Sequence, residues 1–216
     1  MAIAGPDYEC LWADVSCNGR TNDSGVWNKS ALQRGIENGS IQLPQSESLT
    51  ENHPNLPYVF LGDDAFALKT FMMKPYPQSN LTVDKRIYNY RHSRARRISE
   101  NLFGILASKW RIYYTMIALS PKRVENIILS TLALHNMLCK SKSSKNSYRP
   151  PSMINSYDDQ SNLVEGEWRS DEHDYFYPLK VPTSGHNPSL SAKLTRESFK
   201  EYFMTEGAVQ WQWNYS

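Results

Sequence analysis

The sequence has few cysteines and no long apolar run, and each shortage excludes a class of protein. Its three cysteines, among 216 residues, form no Cys-x-x-Cys pair, which argues against a disulfide framework and against a zinc ribbon. The longest apolar stretch, around residues 124–138, is interrupted by charged and polar side chains such as Glu125, and it is too short to span a membrane. We therefore expect no membrane partner and a location in the cytoplasm or the nucleus.

Neither sign of charge dominates the chain, because 24 Lys and Arg stand against 22 Asp and Glu. The net charge gives no indication of a polyelectrolyte partner, but basic and acidic residues are concentrated in different parts of the sequence. Residues 85–97 hold six basic side chains and no acid, whereas residues 158–174 hold seven acids and one arginine. This pattern predicts a locally basic face, although a solvated charged surface explains it equally well.

Apolar periodicity and turn residues predict a mixture of short strands and helices. A turn at Gly5-Pro6 predicts a hairpin that returns as a strand over 8–15. Apolar spacing predicts a helix over 93–111, and Ser120-Pro121 predicts the start of another. The expected buried positions on these two helices are Ala95, Ile98, Leu102, Leu106 and Trp110, and then Val124, Ile127, Ile128, Leu134, Met137 and Leu138. The remaining predictions are a helix over 26–34, a loop over 35–57, a buried strand over 58–61, an exposed polar and acidic region over 140–189, and a last helix with a docking aromatic tail over 190–216.

Asp63 is the first candidate functional residue, because it follows closely on the predicted buried strand over 58–61. A carboxylate at the C-terminal end of a strand points toward the crevice in which α/β proteins bind ligands. The alternative is that Gly62-Asp63-Asp64 forms a turn, or that Asp64 caps a helix.

Glu100 is the second candidate, one helical turn after Arg96 and Arg97 on the predicted helix over 93–111. A half-buried carboxylate beside the apolar stripe needs a cation, and a divalent metal is one candidate. The alternative is a set of surface ion pairs within the helix, each contributing a few tenths of a kcal/mol.

Two further sets of residues carry weaker signals. Asp23 precedes a predicted short helix, where a helix N-cap is the default interpretation. Arginines interleaved with Tyr88 and Tyr90 are typical of a surface that contacts phosphates and stacks aromatic rings on bases. These arginines are Arg91, Arg94, Arg96 and Arg97.

Five stretches, in order, resemble the catalytic half of harbinger-type (PIF/Harbinger) transposases of the DDE superfamily and the nucleases derived from them. They correspond to a strand followed by Gly-x-x-x-Asp, a Leu-Gly-Asp-x-x-Phe element, a Lys-Pro-Tyr element, the helix bearing the last acid, and a Leu-His-Asn helix. In this sequence they are residues 12–27, 60–66, 73–76, 88–104 and 133–138. The separation of Asp63 and Glu100, 100 − 63 = 37 positions, is close to that expected of the family's last two acids.

The resemblance implies an α/β protein with an RNase H-like mixed sheet flanked by helices, and a helical, loop-rich C-terminal extension. It implies that Asp63 and Glu100 are the second and third catalytic acids, and that Asp23 joins them as a metal ligand. Two Mg²⁺ or Mn²⁺ ions are the implied cofactors of phosphodiester hydrolysis. DNA is the implied substrate, and a Myb-like DNA-binding protein is the implied partner.

One family element has no counterpart in this sequence, namely an Asp-x-Thr-His-like strand that carries the first acid. We therefore expect an N-terminally incomplete nuclease domain over 1–139, then the exposed region over 140–189, then the C-terminal helix and tail over 190–216. Without the bridging carboxylate, we expect the chain to cleave DNA weakly or not at all. Two alternatives stay open: a domesticated DNA-binding or protein-interaction module without catalysis, and an unrelated structural protein with chance motifs.

Overall fold

The chain folds into two compact units, each assembled from two separate stretches of sequence. The computed structural model describes residues 1–15, 21–51, 53–158, 161–171 and 187–215. The first unit comprises Met1–Arg20 and Arg97–Leu179, and the second comprises Thr21–Arg96 and Lys180–Ser216. Both contain helices and short strands, so the protein is of the mixed α/β class. Part of the first family element, 16–20, and much of the predicted exposed region, 172–186, lie outside the described residues.

The elements follow one another in a mixed order. The described α-helices are α1 (Asp23–Lys29), α2 (Ala31–Glu37), α3 (Val83–Lys109), α4 (Pro121–Lys140), α5 (Lys145–Tyr148) and α6 (Leu190–Met204). The described strands are β1 (Ala2–Ala4), β2 (Cys10–Ala13), β3 (Phe60–Leu61), β4 (Met72–Met73), β5 (Ser156–Tyr157) and β6 (Leu163–Val164). Short 3₁₀ turns lie at Arg111–Tyr114, Pro151–Met153, Glu167–Asp171 and Gln210–Tyr215. Within this described part, no helix combines the length and the apolar character that a membrane span requires.

The strands pair two by two. β1 and β2 form the predicted antiparallel hairpin, closed by a hydrogen bond from the Gly5 N–H to the Glu9 carbonyl (2.8 Å). β3 and β4 are parallel, and β5 and β6 are antiparallel. The described residues therefore form three small sheets rather than the single mixed sheet that was expected. Two-stranded sheets of this length are marginal by themselves and depend on other contacts for stability.

Three helix asparagines supply such contacts, each pairing with both the N–H and the carbonyl of one residue in or near a strand. The pairs are Asn89 with Tyr76 (2.7 and 2.9 Å), Asn101 with Asn155 (2.9 and 3.3 Å) and Asn136 with Cys10 (2.8 Å for both bonds). A side-chain amide presents one acceptor and one donor group, as a backbone peptide does. Each asparagine therefore satisfies the backbone groups of its partner residue in the way that a neighbouring strand would.

Helix α3 begins at Val83, earlier than the predicted start at residue 93. The boundary between the two units falls within it, between Arg96 and Arg97. In the first unit, Leu102 and Leu106 pack with residues of β2 and α4 to form a core, as predicted. The prediction that Ala95 is buried is wrong, because Ala95 is exposed.

The second unit has its own core, in which Leu68, Met73 and Ala192 pack with Val59 and Phe199. Ala192 and Phe199 belong to α6, so the predicted last helix is confirmed and its inward face is apolar. The aromatic tail also docks as predicted, because the Trp211 ring meets Tyr90 of α3 edge-on, with ring centres 5.9 Å apart.

Helix α4 begins at Pro121 with Ser120 before it, as predicted. The prediction of its buried stripe is partly wrong, because Leu134 and Met137 are exposed. The buried residues of α4 are Thr131, Leu132, His135 and Cys139.

His135 accounts for this orientation of α4. Its Nε2 donates to the Tyr8 carbonyl (2.7 Å), and its Nδ1 accepts a hydrogen bond from the Tyr148 hydroxyl (2.8 Å). Burial lowers the pKa of His135, in keeping with a neutral ring that has one donor and one acceptor. The ring is fully buried and directs this face of the helix inward.

The helix predicted over 26–34 consists of two helices, α1 and α2, that meet at Ser30. Ser30 ends α1 and caps α2, its Oγ accepting from the Gln33 N–H (3.0 Å). Asn22 caps α1 by accepting from the Gly25 N–H (2.9 Å). The interpretation of Asp23 as the N-cap is therefore wrong, and Asp23 is instead the first residue of the helix, where a negative charge is favourable.

The described part of the predicted exposed region contains ordered elements. α5, β5 and β6 lie there, and Met153 and Asn155 are buried. The polar composition predicted a loop, but the backbone N–H and the side-chain Oδ1 of Asn155 form hydrogen bonds within the fold.

We predict that His92 makes the stability depend on pH. Its Nε2 donates to the Met73 carbonyl (3.3 Å), and burial lowers the pKa of His92 from 6.5 to about 4. The unfolded chain takes up the proton near pH 6.5 and the folded protein near pH 4. The stability that the neutral His92 ring contributes is therefore fully present above pH 6.5. It is lost as the pH falls from 6.5 to 4, which lowers the unfolding free energy by about 3 kcal/mol.

Urea denaturation at several pH values measures this effect. In the His92→Gln variant, the unfolding free energy should fall less steeply between pH 6.5 and 4 than in wild type. The His53→Gln variant, at a more exposed histidine, should show the wild-type pH dependence. The same slope in wild type and His92→Gln would contradict the prediction.

Candidate functional site

Asp63 lies at the end of the parallel strand pair. β3 ends at Leu61, and the Gly62 N–H donates to the carbonyl of Met73, the last residue of β4 (2.9 Å). The Asp63 Oδ1 then accepts from the Ala65 N–H (3.0 Å), which closes a turn. The sequence left open whether Asp63 stands at the end of a strand or in a turn, and the structure shows both.

The strand before Asp63 is shorter and less buried than predicted. It covers Phe60–Leu61 only, Leu61 is 39% exposed, and Tyr58 is exposed as well. The carboxylate therefore stands at a partly open edge, with its side chain 39% exposed.

Basic side chains surround this edge within the second unit. The Arg96 Nη2 lies 3.9 Å from the Asp63 Oδ2, and the Lys74 Nζ donates to the Asp64 carbonyl. Burial lowers the pKa of Lys74, and the positive charge of Arg196 acts in the same direction, while Asp64 and Asp63 oppose it. The edge therefore carries both carboxylates and cationic side chains.

Glu100 belongs to the first unit and is exposed, with 46% of its side chain accessible. Its Oε2 lies 3.4 Å from the Arg169 Nη2. Phe103, the next aromatic residue on the helix, is 50% exposed. The Glu100 side chain is therefore more exposed than expected and has an arginine beside it, and metal binding by Glu100 stays a prediction.

Arg169 is the residue that the sequence interpretation missed. It is the one arginine in the acidic stretch over 158–174, and that isolation was the available signal. Its Nε also donates to the Asn155 Oδ1 (3.3 Å). The partner of Glu100 therefore comes from a distant part of the sequence rather than from the preceding helical turn.

Two of the four arginines expected to contact phosphate hold the C-terminal tail. The Arg91 Nη1 donates to the Gly207 carbonyl and to the Gln212 Oε1, both at 3.0 Å, and burial lowers the pKa of Arg91. The Arg94 guanidinium lies over the Trp211 ring, 4.0 Å from its centre. These contacts explain why the tail docks on α3.

The other two arginines have partners of a different kind. Arg96 faces Asp63, as described above, and Arg97 contacts Tyr157 of β5, with its guanidinium 4.9 Å from the ring centre. Contact with DNA by any of the four arginines stays a prediction.

A divalent-metal site does not form from the residues that the structure describes. None of the described Asp, Glu, His or Cys side chains come together in groups of three or more that could hold a metal ion. Asp23 and Asp63 belong to the second unit and Glu100 to the first, so each is described in its own surroundings. Ligation of one metal by these three acids stays a prediction.

Comparison with known proteins places the chain in a family context. A family model described as "DDE superfamily endonuclease" matches residues 1–136. All three candidate acids lie within that range, whereas Arg169 and the tail lie beyond it.

A curated relative, Protein ALP1-like of Arabidopsis thaliana, is 25% identical over 139 residues, which is 64% of this chain and 34% of that protein. The chain thus spans about a third of the length of the curated relative it matches. No solved structure matches.

We predict that Arg91 stabilises the second unit. Arg91→Ala leaves the Gly207 carbonyl and the Gln212 Oε1 without this donor and removes the stacking on Phe203. We expect the unfolding free energy to fall by about 2 kcal/mol. Urea denaturation measures this, with Arg86→Ala as the matched control at an exposed position of α3. Equal stability of the two variants would contradict a structural role for Arg91.

Proposed function

The chain belongs to the DDE superfamily endonuclease family, and we propose that it is the part of a metal-dependent DNA endonuclease of harbinger-transposase type that carries Asp63 and Glu100. The observation that supports this most directly is the position of Asp63 at the C-terminal end of β3 and β4, with the Arg96 guanidinium 3.9 Å away. In α/β enzymes this edge is where ligands bind, and a carboxylate beside an arginine offers groups for both a cation and a phosphate.

Asp63 and Glu100 are proposed as the catalytic acids, and Asp23 as an additional metal ligand. The family implies a divalent metal in general, and Mg²⁺ or Mn²⁺ suits carboxylate oxygens. When bound, such an ion supplies activation of water and stabilisation of the leaving oxyanion. The described residues form no such ligand group, so this chain by itself is proposed to cleave DNA weakly.

The remaining features of the proposal follow from the family resemblance. The core is proposed to be RNase H-like, and the protein to act in the nucleus with a Myb-like DNA-binding partner. Arg96 is the proposed phosphate contact with the best support, because it stands beside Asp63. Arg91 and Arg94 have less support, because both engage the tail.

A second candidate function is a catalytically inert DNA-binding module on the same scaffold. It is favoured by the arginine that stands beside each proposed acid, Arg96 at Asp63 and Arg169 at Glu100. A guanidinium in that place balances the carboxylate charge without any metal.

A plasmid-nicking assay with MgCl₂ or MnCl₂ separates the two candidates. For the nuclease we expect slow nicking that EDTA abolishes and that Asp63→Asn and Glu100→Gln each reduce to the EDTA background, because both acids are needed to bind the cation. The inert module predicts no nicking under any of these conditions. Nicking that survives in both variants would show that the assignment of the acids is wrong.

Binding to duplex DNA tests the role of Arg96 independently of cleavage. We expect Arg96→Gln to weaken binding about three- to tenfold and to lower the salt dependence by about one released counterion, since one phosphate contact is lost. Fluorescence anisotropy in EDTA at several salt concentrations measures both quantities. Arg123→Gln, at an exposed arginine of α4, is the matched control, and equal affinity of the two variants would contradict the assignment.

A further inference from the structure

One face of α3 in the first unit is covered by a later segment of the chain. We call residues 153–158 and 161–169 the covering segment. The helix positions that it contacts follow the spacing i, i+3, i+4, i+7, which defines a single face. They are Arg97, Glu100, Asn101 and Gly104.

Asn101 fixes the covering segment in register. Its amide pairs with both backbone groups of Asn155 (2.9 and 3.3 Å), and its Oδ1 also accepts from the Trp168 Nε1 (3.1 Å). Asn101 and Asn155 are both buried. A buried amide with these bonds loses free energy if the segment leaves, so the contact is specific.

Gly104 brings the segment close to the helix. A Cβ atom at this position would lie 2.1 Å from the Cδ2 of Trp168, which is far inside van der Waals contact. Only glycine therefore lets the indole of Trp168 lie directly on the helix surface at this turn.

The docking of the covering segment places Arg169 beside Glu100. Its Nη2 lies 3.4 Å from the Glu100 Oε2, and its Nε donates to the Asn155 Oδ1 (3.3 Å). The guanidinium also stacks on the neighbouring Trp168 ring, 4.5 Å from its centre. Arg169 is thus held in place by several groups rather than by Glu100 alone.

The same docking engages Arg97 through Tyr157, which contacts its guanidinium with both ring and hydroxyl. The covering segment also carries acids, among them Asp158, Glu165 and Glu167. Among these acids, Glu165 lies 3.9 Å from the Arg169 Nε.

We propose that the covering segment is a built-in competitor: Arg169 occupies the position of a divalent cation at Glu100, and Tyr157 withholds Arg97 from phosphate. The inference rests on the proposed function, since it takes Glu100 as a metal-binding acid. It adds that Arg169, which lies beyond the family match, sets how readily this acid accepts a metal. Removal of the guanidinium must then increase the affinity for the metal, which is the opposite of what a misfolded variant shows.

The first test measures Mn²⁺ binding to the whole chain, with free MnCl₂ followed by electron paramagnetic resonance. We expect Arg169→Gln to bind Mn²⁺ about two- to fivefold more tightly, the range that an exposed ion pair contributes. Arg111→Gln, at an exposed arginine of the same unit, is the matched control and should bind like wild type. The gain should vanish when Glu100→Gln is added to Arg169→Gln.

The second test displaces the whole segment. Gly104→Ala favours the helix, since Ala is the better helix former, but its Cβ collides with Trp168. We expect faster trypsin cleavage after Arg169, together with the same gain in Mn²⁺ affinity and about twofold tighter binding of duplex DNA. Ser93→Ala, at an exposed position of α3, is the control and should change neither property.

The outcomes separate this inference from the proposed function. Unchanged or weaker Mn²⁺ binding in Arg169→Gln, or a gain that persists in the double variant with Glu100→Gln, overturns the competitor role even if DNA nicking is observed. A gain that depends on Glu100 in a protein that never nicks DNA supports competition at Glu100 and overturns the nuclease instead.

Discussion

Side-chain amides and imidazoles on the helices hold the extended segments of this protein by their backbone groups. The strands are two to four residues long, so strand pairing alone leaves many of their N–H and carbonyl groups without a partner. Asn89 and His92 on α3 satisfy Tyr76 and Met73 beside the edge that carries Asp63. Asn101 does the same for the segment that covers Glu100. The surroundings of both candidate acids therefore depend on these polar contacts as much as on the apolar cores.

Asp63 and Glu100 each stand beside an arginine, and the strength of these two pairs bears on function. The pairs Asp63–Arg96 and Glu100–Arg169 are separated by 3.9 and 3.4 Å and are partly exposed. Exposed pairs contribute about 0–1 kcal/mol, so a bound cation or a phosphate can replace them at little energetic cost. An arginine beside a carboxylate is thus compatible with a nuclease and with an inert descendant. In our proposal, the covering segment regulates the replacement of Arg169 by a metal ion at Glu100.

Local signals in the sequence predicted local features well. The Gly5-Pro6 turn gave the hairpin, Ser120-Pro121 gave the start of α4, and the apolar residues over 190–206 gave α6. Asp63 was placed correctly at a strand end because the apolar run and the Gly-Asp-Asp turn are adjacent in sequence. The predicted buried stripe of α4 was partly wrong, since His135 turns that helix through bonds to Tyr8 and Tyr148. The contacts of Arg91 with Gly207 and Gln212 were not predicted, because these partners lie more than a hundred positions away.

The sequence by itself determined the Gly5-Pro6 turn, the start of α4, the family membership, and the identity of the acids that the family motifs carry. These features depend on neighbouring residues or on an ordered series of short patterns, and both can be read directly from the sequence. Only the tertiary structure decided which cation faces each acid, which arginines serve the tail, and that Trp168 and Arg169 cover the Glu100 face of α3. Such pairings join residues far apart in the chain, and a charge or an aromatic ring in the sequence does not specify its partner until the fold brings the two together.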